Sequence, residues 1–198
     1  IDPTLAGNPY FLCLVIVCSF WGATLVNLRG MYSSAIMSNI CAISGLLLPM
    51  ALIIGLGAVW ILGDNPVHVK FDLESTLPHL QDRSMWVSLT AIILSFCGIE
   101  IATVHANDVH NPQRAFPRAL VYSVGIILST LILGSLSIAV VLPSNDINLV
   151  AGIMQAFDAF FARYQLLWLM PVVAVMLVLG GLGGVSNWII APTKGLLV

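Results

Sequence analysis

The sequence predicts an all-α integral membrane protein with five transmembrane helices, one of which is broken near its middle. Hydrophobic residues make up 59% of the 198 residues and charged residues only 8%, whereas soluble domains carry about 25% charged residues. Five apolar stretches approach the roughly 20 residues that a helix needs to cross the hydrocarbon core of a bilayer. The lipid bilayer is therefore the expected environment, and an enzyme is not expected.

The first two spans are predicted at about residues 10–28 and 36–63. A polar start, IDPTLAGNP, precedes the first span, and a short amphipathic link, MYSSAIMSN, joins the two. The second run is longer than a bilayer requires, which permits tilt. Pro49 lies inside it and is expected to bend the helix as a structural kink rather than as a gate.

The third span, at about residues 86–110, follows a polar loop and is interrupted at 97–100 by Cys-Gly-Ile-Glu. Glycine lets the backbone leave a helix at low cost. A helix that opens between Leu94 and Glu100 presents carbonyl groups from its first half and amide groups from its second half. Discontinuous helices of this kind hold substrates at the bilayer midplane in secondary transporters. The two ends are expected to bind a zwitterionic amino acid, and a glycine kink without a ligand is the alternative.

The remaining spans are predicted at about residues 119–142 and 166–190. Two prolines, Pro112 and Pro117, are expected to bracket a tight turn before the fourth span. The intervening segment, 145–163, is too polar to span, but its apolar residues recur at helical spacing. It is predicted to form a helix at the membrane surface or over a vestibule.

The distribution of basic residues predicts the orientation of the chain. The loops on one side carry a single acid, Asp108, and four basic residues: Arg29, Arg114, Arg118 and Lys194. Short loops rich in Lys and Arg face the cytoplasm. The N-terminus is therefore expected outside and the C-terminus inside. The chain starts with Ile and shows no signal peptide, so we expect it to be a piece of a longer protein.

Glu100 and His105 are the ionisable residues expected to respond to pH. A carboxylate at membrane depth indicates a functional site, and apolar surroundings oppose its ionisation, so Glu100 is expected to change protonation near neutral pH. Proton sensing or coupling, a structural role at the break, and direct substrate contact all stay open for Glu100. His105 is expected to line an inner vestibule and to titrate near neutral pH.

No metal, cofactor or nucleic acid is expected to bind. His105 and Asp108 share a helical face, but His110 does not stack on them, so a metal site is not predicted. The four cysteines form no C-x-x-C pair and are expected to be buried apolar residues. The net charge of −2 and the absence of a basic run argue against nucleic acid. Trp188 is left open between lining a substrate pocket and packing at the membrane interface.

Several sequence motifs resemble those of a known family. Phe96-Cys97-Gly98-Ile99-Glu100, followed by Asn107-Asp108-Val109-His110-Asn111-Pro112-Gln113-Arg114, resembles the sixth-span signature of the amino acid–polyamine–organocation (APC) superfamily. GSLSIAVVLPSNDINLVAGIMQAF (134–157) and SNWIIAPTKGL (186–196) resemble the bacterial glutamate/γ-aminobutyrate antiporters of acid resistance. The likeness extends in the same order over nearly the whole chain.

The resemblance implies an inverted-repeat (leucine-transporter-type) fold in which residues 1–198 correspond to the fourth through eighth of about twelve spans. It implies that the carbonyls of Leu94 and Cys97, beside Gly98 and Ile99, hold the amino group of the substrate. It further implies that Glu100 is the pH-linked carboxylate, that Trp188 lies beside the substrate side chain, and that 145–163 is an outer-loop helix.

The activity implied is exchange of amino acids across the bacterial inner (cytoplasmic) membrane by a multi-pass antiporter, with glutamate/γ-aminobutyrate as the substrate pair. The expected partners are the amino acid substrate, the lipid bilayer, the missing flanking spans and a second copy in a homodimer. Gly184 stands where those antiporters carry an acidic residue, so a permease for another amino acid remains an alternative. A non-transporting truncated membrane subunit or scaffold is the other.

Overall fold

The structure is a computed structural model that describes residues 8–63, 65–69, 83–98, 109–143, 147–148 and 151–195. The described residues form helices and turns, with no β-strand among them, so the all-α prediction is confirmed for this part of the chain. The chain divides into two compact units. One comprises Ile1–Met50 with Trp168–Val198, and the other comprises Ala51–Leu167.

In the first unit, α1 (Pro9–Leu28) occupies the first predicted span. Its start is specified locally, because the Asn8 side chain accepts a hydrogen bond of 3.0 Å from the Tyr10 backbone N–H. Pro9 at the first helical position needs no N–H partner. Only 6% of the span is buried within the chain, so nearly the whole helix is available to lipid or to other spans.

The second helix begins at Met31, earlier than predicted. α2 (Met31–Ala42) continues through a π-helical turn (Ile43–Leu47) into α3 (Leu48–Leu62). The predicted link MYSSAIMSN is therefore helical. Gly30 adopts a positive φ of 106° directly before it, which an L residue rarely adopts, so this glycine allows the two helices to be joined by a short connection.

The last helix of the first unit is α7 (Met170–Gly195), preceded by a 3₁₀ turn (Leu167–Leu169). It packs on α1, α2 and the π-turn. Small residues let the backbones approach. A Cβ atom added to Gly180 would meet the backbone of Gly45, and one added to Gly183 would overlap the Cys41 side chain. Such small-residue contacts are typical of packed membrane helices.

In the second unit, α5 (Pro112–Val141) begins seven residues before the predicted fourth span. The expected turn between Pro112 and Pro117 is wrong, because both prolines lie inside the helix. Pro112 starts it, where a missing N–H costs nothing. Pro117 removes only the hydrogen bond to the Gln113 carbonyl, and Gln113 is exposed to solvent.

The predicted surface helix forms as α6 (Gly152–Arg163), later than the predicted start at 145. The Ala151 N–H donates to Asn148 Oδ1 at 3.2 Å, and the Asn148 N–H donates to Gln155 Oε1 at 2.8 Å. These side-chain bonds hold a non-helical turn ahead of the helix.

α6 is amphipathic, as predicted, and its apolar face is buried. Phe157, Phe160 and Phe161 are fully buried. Trp60 of α3 meets Phe160 edge to face, with ring centroids 5.7 Å apart. The Trp60 indole N–H donates to the Pro66 carbonyl at 3.0 Å, so the aromatic contact is oriented as well as buried.

Within the described ranges, four stretches are long and apolar enough to cross a membrane: Pro9–Leu28, Tyr32–Leu62, Pro112–Val141 and Leu167–Ile190. The described part of the predicted third span is α4 (Arg83–Ser95), which has 13 residues and is shorter than a bilayer requires. Residues 99–108 lie outside the described ranges. The fifth span and the inverted repeat therefore remain predictions.

Candidate functional site

The helix α4 ends inside the apolar run of the predicted third span. The Phe96 N–H donates to the Ile93 carbonyl and the Cys97 N–H to the Leu94 carbonyl, both at 3.1 Å. Each bond joins residues three positions apart, so the chain here forms a 3₁₀-type turn rather than an α-helical turn. Gly98 then adopts a φ of 101°, which no α-helix contains. The described half of the predicted break is thus a helix end, with Gly98 turning the chain away.

This helix end has the chemistry of a cation acceptor. The last carbonyl groups of a helix lack intrahelical partners and carry partial negative charge. The Leu94 carbonyl accepts one hydrogen bond, from Cys97, and a carbonyl oxygen has a second lone pair. An ammonium group fits such an end. Ile99, Glu100 and His105, which the sequence assigns to the same site, lie outside the described residues.

Trp188 lies on an open face of α7. Its exposed fraction is 59%. Gly184 and Gly181 lie four and seven residues earlier, on the same side of the helix, and a Cβ atom added to either would meet nothing within 4 Å. A flat aromatic ring therefore stands beside two residues without side chains. The space admits a solute or another helix, so both interpretations of Trp188 fit this geometry.

The predicted site residues that the structure describes fall into two groups, one in each compact unit. Leu94, Cys97 and Gly98 lie together at the end of α4 in the second unit. Trp188 lies on α7 in the first unit. That these two groups form one substrate site remains a prediction.

A polar cluster in the first unit was not predicted from the sequence. Ser34 and Ser186 donate from their hydroxyl groups to Asn27 Oδ1 at 3.1 and 2.9 Å. The Asn27 side-chain amide donates to the Ser186 carbonyl at 3.2 Å. Ser34 is 4% exposed and Ser186 is fully buried. The only signal in the sequence is the presence of uncharged polar residues inside apolar runs. That signal is weak, because serine and asparagine also occur singly in membrane helices.

A groove of about 710 Å³ lies in the same unit, and its lining is chiefly apolar or small. Gly22 and Ala23 form part of it, and Leu179 and Leu182 of α7 complete it. It contains no carboxylate, histidine, lysine or arginine. None of the predicted site residues lines this groove.

The cysteines differ from expectation. Cys41 is buried, whereas Cys13, Cys18 and Cys97 are exposed within the chain. Of the four, only Cys41 therefore matches the expected buried apolar role. Across the described ranges, no three His, Cys, Asp or Glu side chains come together as a set of metal ligands.

Comparison with known proteins gives a consistent result. A sequence profile of a family described as amino acid permease matches residues 1–197. An uncharacterised transporter of Legionella pneumophila is 45% identical over 198 residues, which is all of this chain and 42% of the relative.

Two proteins named glutamate/γ-aminobutyrate antiporter, from Lactococcus lactis subsp. lactis and subsp. cremoris, are also similar. They are 31% and 30% identical over 188 residues, which is 94% of this chain and 37% of each relative. The chain therefore spans about two fifths of the length of the curated relatives it matches.

Proposed function

The chain belongs to the amino acid permease family, and from that premise we propose that the whole protein of which it forms part exchanges amino acids across a membrane by alternating access. The family and the similar proteins are named as transporters, not as enzymes. The observation that carries the proposal is the match over residues 1–197, because it includes both the helix end at Gly98 and the open face at Trp188.

In this proposal the end of α4 binds the ammonium group of the amino acid. The carbonyl groups of Leu94 and Cys97, with the backbone around Gly98 and Ile99, offer the negative end of a helix dipole. These backbone carbonyls bind an α-ammonium or a γ-ammonium group equally well, because they interact with the positive charge and its N–H donors and not with the carbon chain.

Trp188 lies beside the carbon chain of the substrate. The exposed indole offers a flat apolar surface and attracts a cation to its π face. Gly181 and Gly184 next to it leave room for the substrate side chain. Because Gly184 has no acidic side chain, discrimination between substrates at this position rests on shape rather than charge.

Glu100 couples exchange to pH, and His105 contributes to the pH response from the inner vestibule. A carboxylate within a membrane span marks a functional site. Its ionisation is linked to solvent access, so protonation changes which conformation is favoured.

The finer proposal is exchange of glutamate for γ-aminobutyrate in the inner membrane of a bacterium, in acid resistance. It is supported by the names of the two Lactococcus lactis proteins, which align with 94% of this chain. Both solutes carry an ammonium group and a carboxylate, so one site with helix ends of both signs accepts either.

The test is exchange by the whole protein reconstituted in proteoliposomes. Vesicles preloaded with unlabelled glutamate, with γ-aminobutyrate, with a neutral amino acid or with buffer are given labelled glutamate or a labelled neutral amino acid outside at acidic and neutral pH. Labelled uptake that requires an internal amino acid supports antiport. Uptake equal to that of protein-free vesicles in every condition would refute transport, and uptake into buffer-loaded vesicles at the same rate would refute exchange.

A further inference from the structure

We infer that Asn27, with Ser34 and Ser186, is a positioning residue that sets the rotation of α7 and thereby directs Trp188 and its glycine neighbours towards the substrate. The inference rests on the proposed function for the role of Trp188. The geometry of the cluster stands independently of it.

The cluster ties three helices together at one level. Asn27 is in the last turn of α1, Ser34 in the first turn of α2, and Ser186 in the second half of α7. The carboxamide of Asn27 uses its oxygen twice and its N–H once in this cluster. Asn27 and Ser186 are 159 residues apart in sequence, so these bonds are tertiary and cannot form within one helix.

A second bond extends the contact along α7. The Ser38 hydroxyl donates to Asn187 Oδ1 at 2.6 Å. Ser186 and Asn187 are consecutive, so they point about 100° apart around the helix axis. Two anchors at different angles resist rotation of a helix more strongly than one anchor does.

The opposite side of α7 carries the proposed site. Trp188 follows Ser186 by two residues, which places it roughly 200° around the axis. The fully buried Ser186 faces the cluster, and the indole is 59% exposed. Gly180 and Gly183 are packed on α2 and its π-turn, while Gly181 and Gly184 are open. The rotation that buries the hydroxyl therefore also determines which face of α7 is presented outwards.

The membrane environment makes this anchoring effective. In lipid the hydrophobic effect does not drive one helix against another, so packing and interhelical hydrogen bonds decide the rotation. Removal of Asn27 would leave the buried Ser186 hydroxyl without its acceptor, and a buried polar group without a partner is costly. The helix would then gain by turning, and Trp188 would turn with it.

The experiment compares Asn27→Leu with Thr24→Val in the reconstituted whole protein. Thr24 lies one turn earlier on α1, and its hydroxyl donates only within its own helix, to the Phe20 carbonyl at 2.8 Å. We expect Asn27→Leu to raise the KM for the exchanged amino acid about three- to tenfold, the scale of one interhelical hydrogen bond. Vmax per folded molecule should change less, and Thr24→Val should match wild type.

A second readout does not depend on transport. Hydroxyl-radical footprinting with mass spectrometry reports each tryptophan separately, and Trp21, also 59% exposed, is the internal reference. The ratio of Trp188 to Trp21 modification should change in Asn27→Leu and stay constant in Thr24→Val. If Asn27→Leu does not fold, Ser34→Ala and Ser34→Thr serve instead, because Thr retains the hydroxyl and should rescue both readouts.

The outcomes separate the two proposals. A wild-type protein without amino acid exchange would overturn the proposed function and, with it, the role assigned to Trp188 here. A wild type that exchanges amino acids, together with an Asn27→Leu variant whose KM and footprint are unchanged, would overturn this inference alone.

Discussion

Gly45 and Gly180 lie backbone against backbone, so that a Cβ atom added to Gly45 would overlap the backbone nitrogen of Gly180. Gly45 lies in the π-turn of Ile43–Leu47. Pro49, four residues later, has no N–H to donate to the Gly45 carbonyl, and the Leu48 N–H donates five residues back, to Ile43. The irregular turn and the close contact with Gly180 therefore coincide, and the bend expected at Pro49 remains a prediction.

Gly180→Ala should destabilise the protein, because the new methyl group meets the backbone of Gly45 rather than a movable side chain. Overpacking of this kind costs about 1–3 kcal/mol. The adjacent Gly181→Ala is the matched control, since its methyl group meets nothing within 4 Å, and it should gain up to about 1 kcal/mol from helix propensity. Thermal unfolding in detergent measures both. Equal midpoints for the two variants would show that the crossing is not tight.

Gly98→Ala should weaken the helix end that carries the proposed ammonium site. A φ of 101° strains any residue with a Cβ atom, at a cost of roughly 1–3 kcal/mol. Gly125→Ala in α5 is the control, because Gly125 has no such φ and open space around it. Denaturant unfolding should separate the variants, and exchange should fall in Gly98→Ala only. A fully active Gly98→Ala protein would argue against the broken span.

Trp188→Ala should raise the KM for the exchanged amino acid about tenfold, through loss of the aromatic surface and its attraction for a cation. Trp188→Phe should restore most of the affinity, since a π face remains. Trp21→Ala tests whether the effect is specific, because Trp21 on α1 has the same 59% exposure. Initial rates of counterflow give KM and Vmax for each. Identical kinetics in Trp188→Ala and Trp21→Ala would favour a packing role for Trp188.

Glu100→Gln should flatten the pH dependence of exchange. We expect protonation to favour the transporting conformation, so wild-type flux should fall as pH rises and the carboxyl group ionises, whereas the amide imitates the protonated form and should keep flux high at neutral pH. Asp158→Asn on α6 is the control, because Asp158 is exposed and should leave the profile unchanged. Exchange rates measured at half-unit steps from pH 4.5 to 7.5 test this prediction. A Glu100→Gln variant with the pH dependence of the wild type would contradict the sensor role.

The positions where helices start show how far local chemistry predicts structure. The start of α1 at Asn8-Pro9 and the helix end before Gly98 follow from capping and from glycine φ, both local properties. The predicted start of α5 is wrong because Pro112 and Pro117 are compatible both with a turn and with the first turns of a helix. The start of α6 depends on side-chain bonds of Asn148 and Gln155, which residue composition does not reveal.

By itself the sequence determined that this is a helical membrane protein of the amino acid permease family, that it carries long apolar helices, and that one apolar run contains a helix end. These properties depend on hydrophobicity and backbone preferences that each segment carries along its own length. Only the tertiary structure decided that Asn27 bonds Ser186 and that Gly45 meets Gly180. Partners far apart in sequence are chosen by how whole helices pack, and many serines and glycines offer the same local signal.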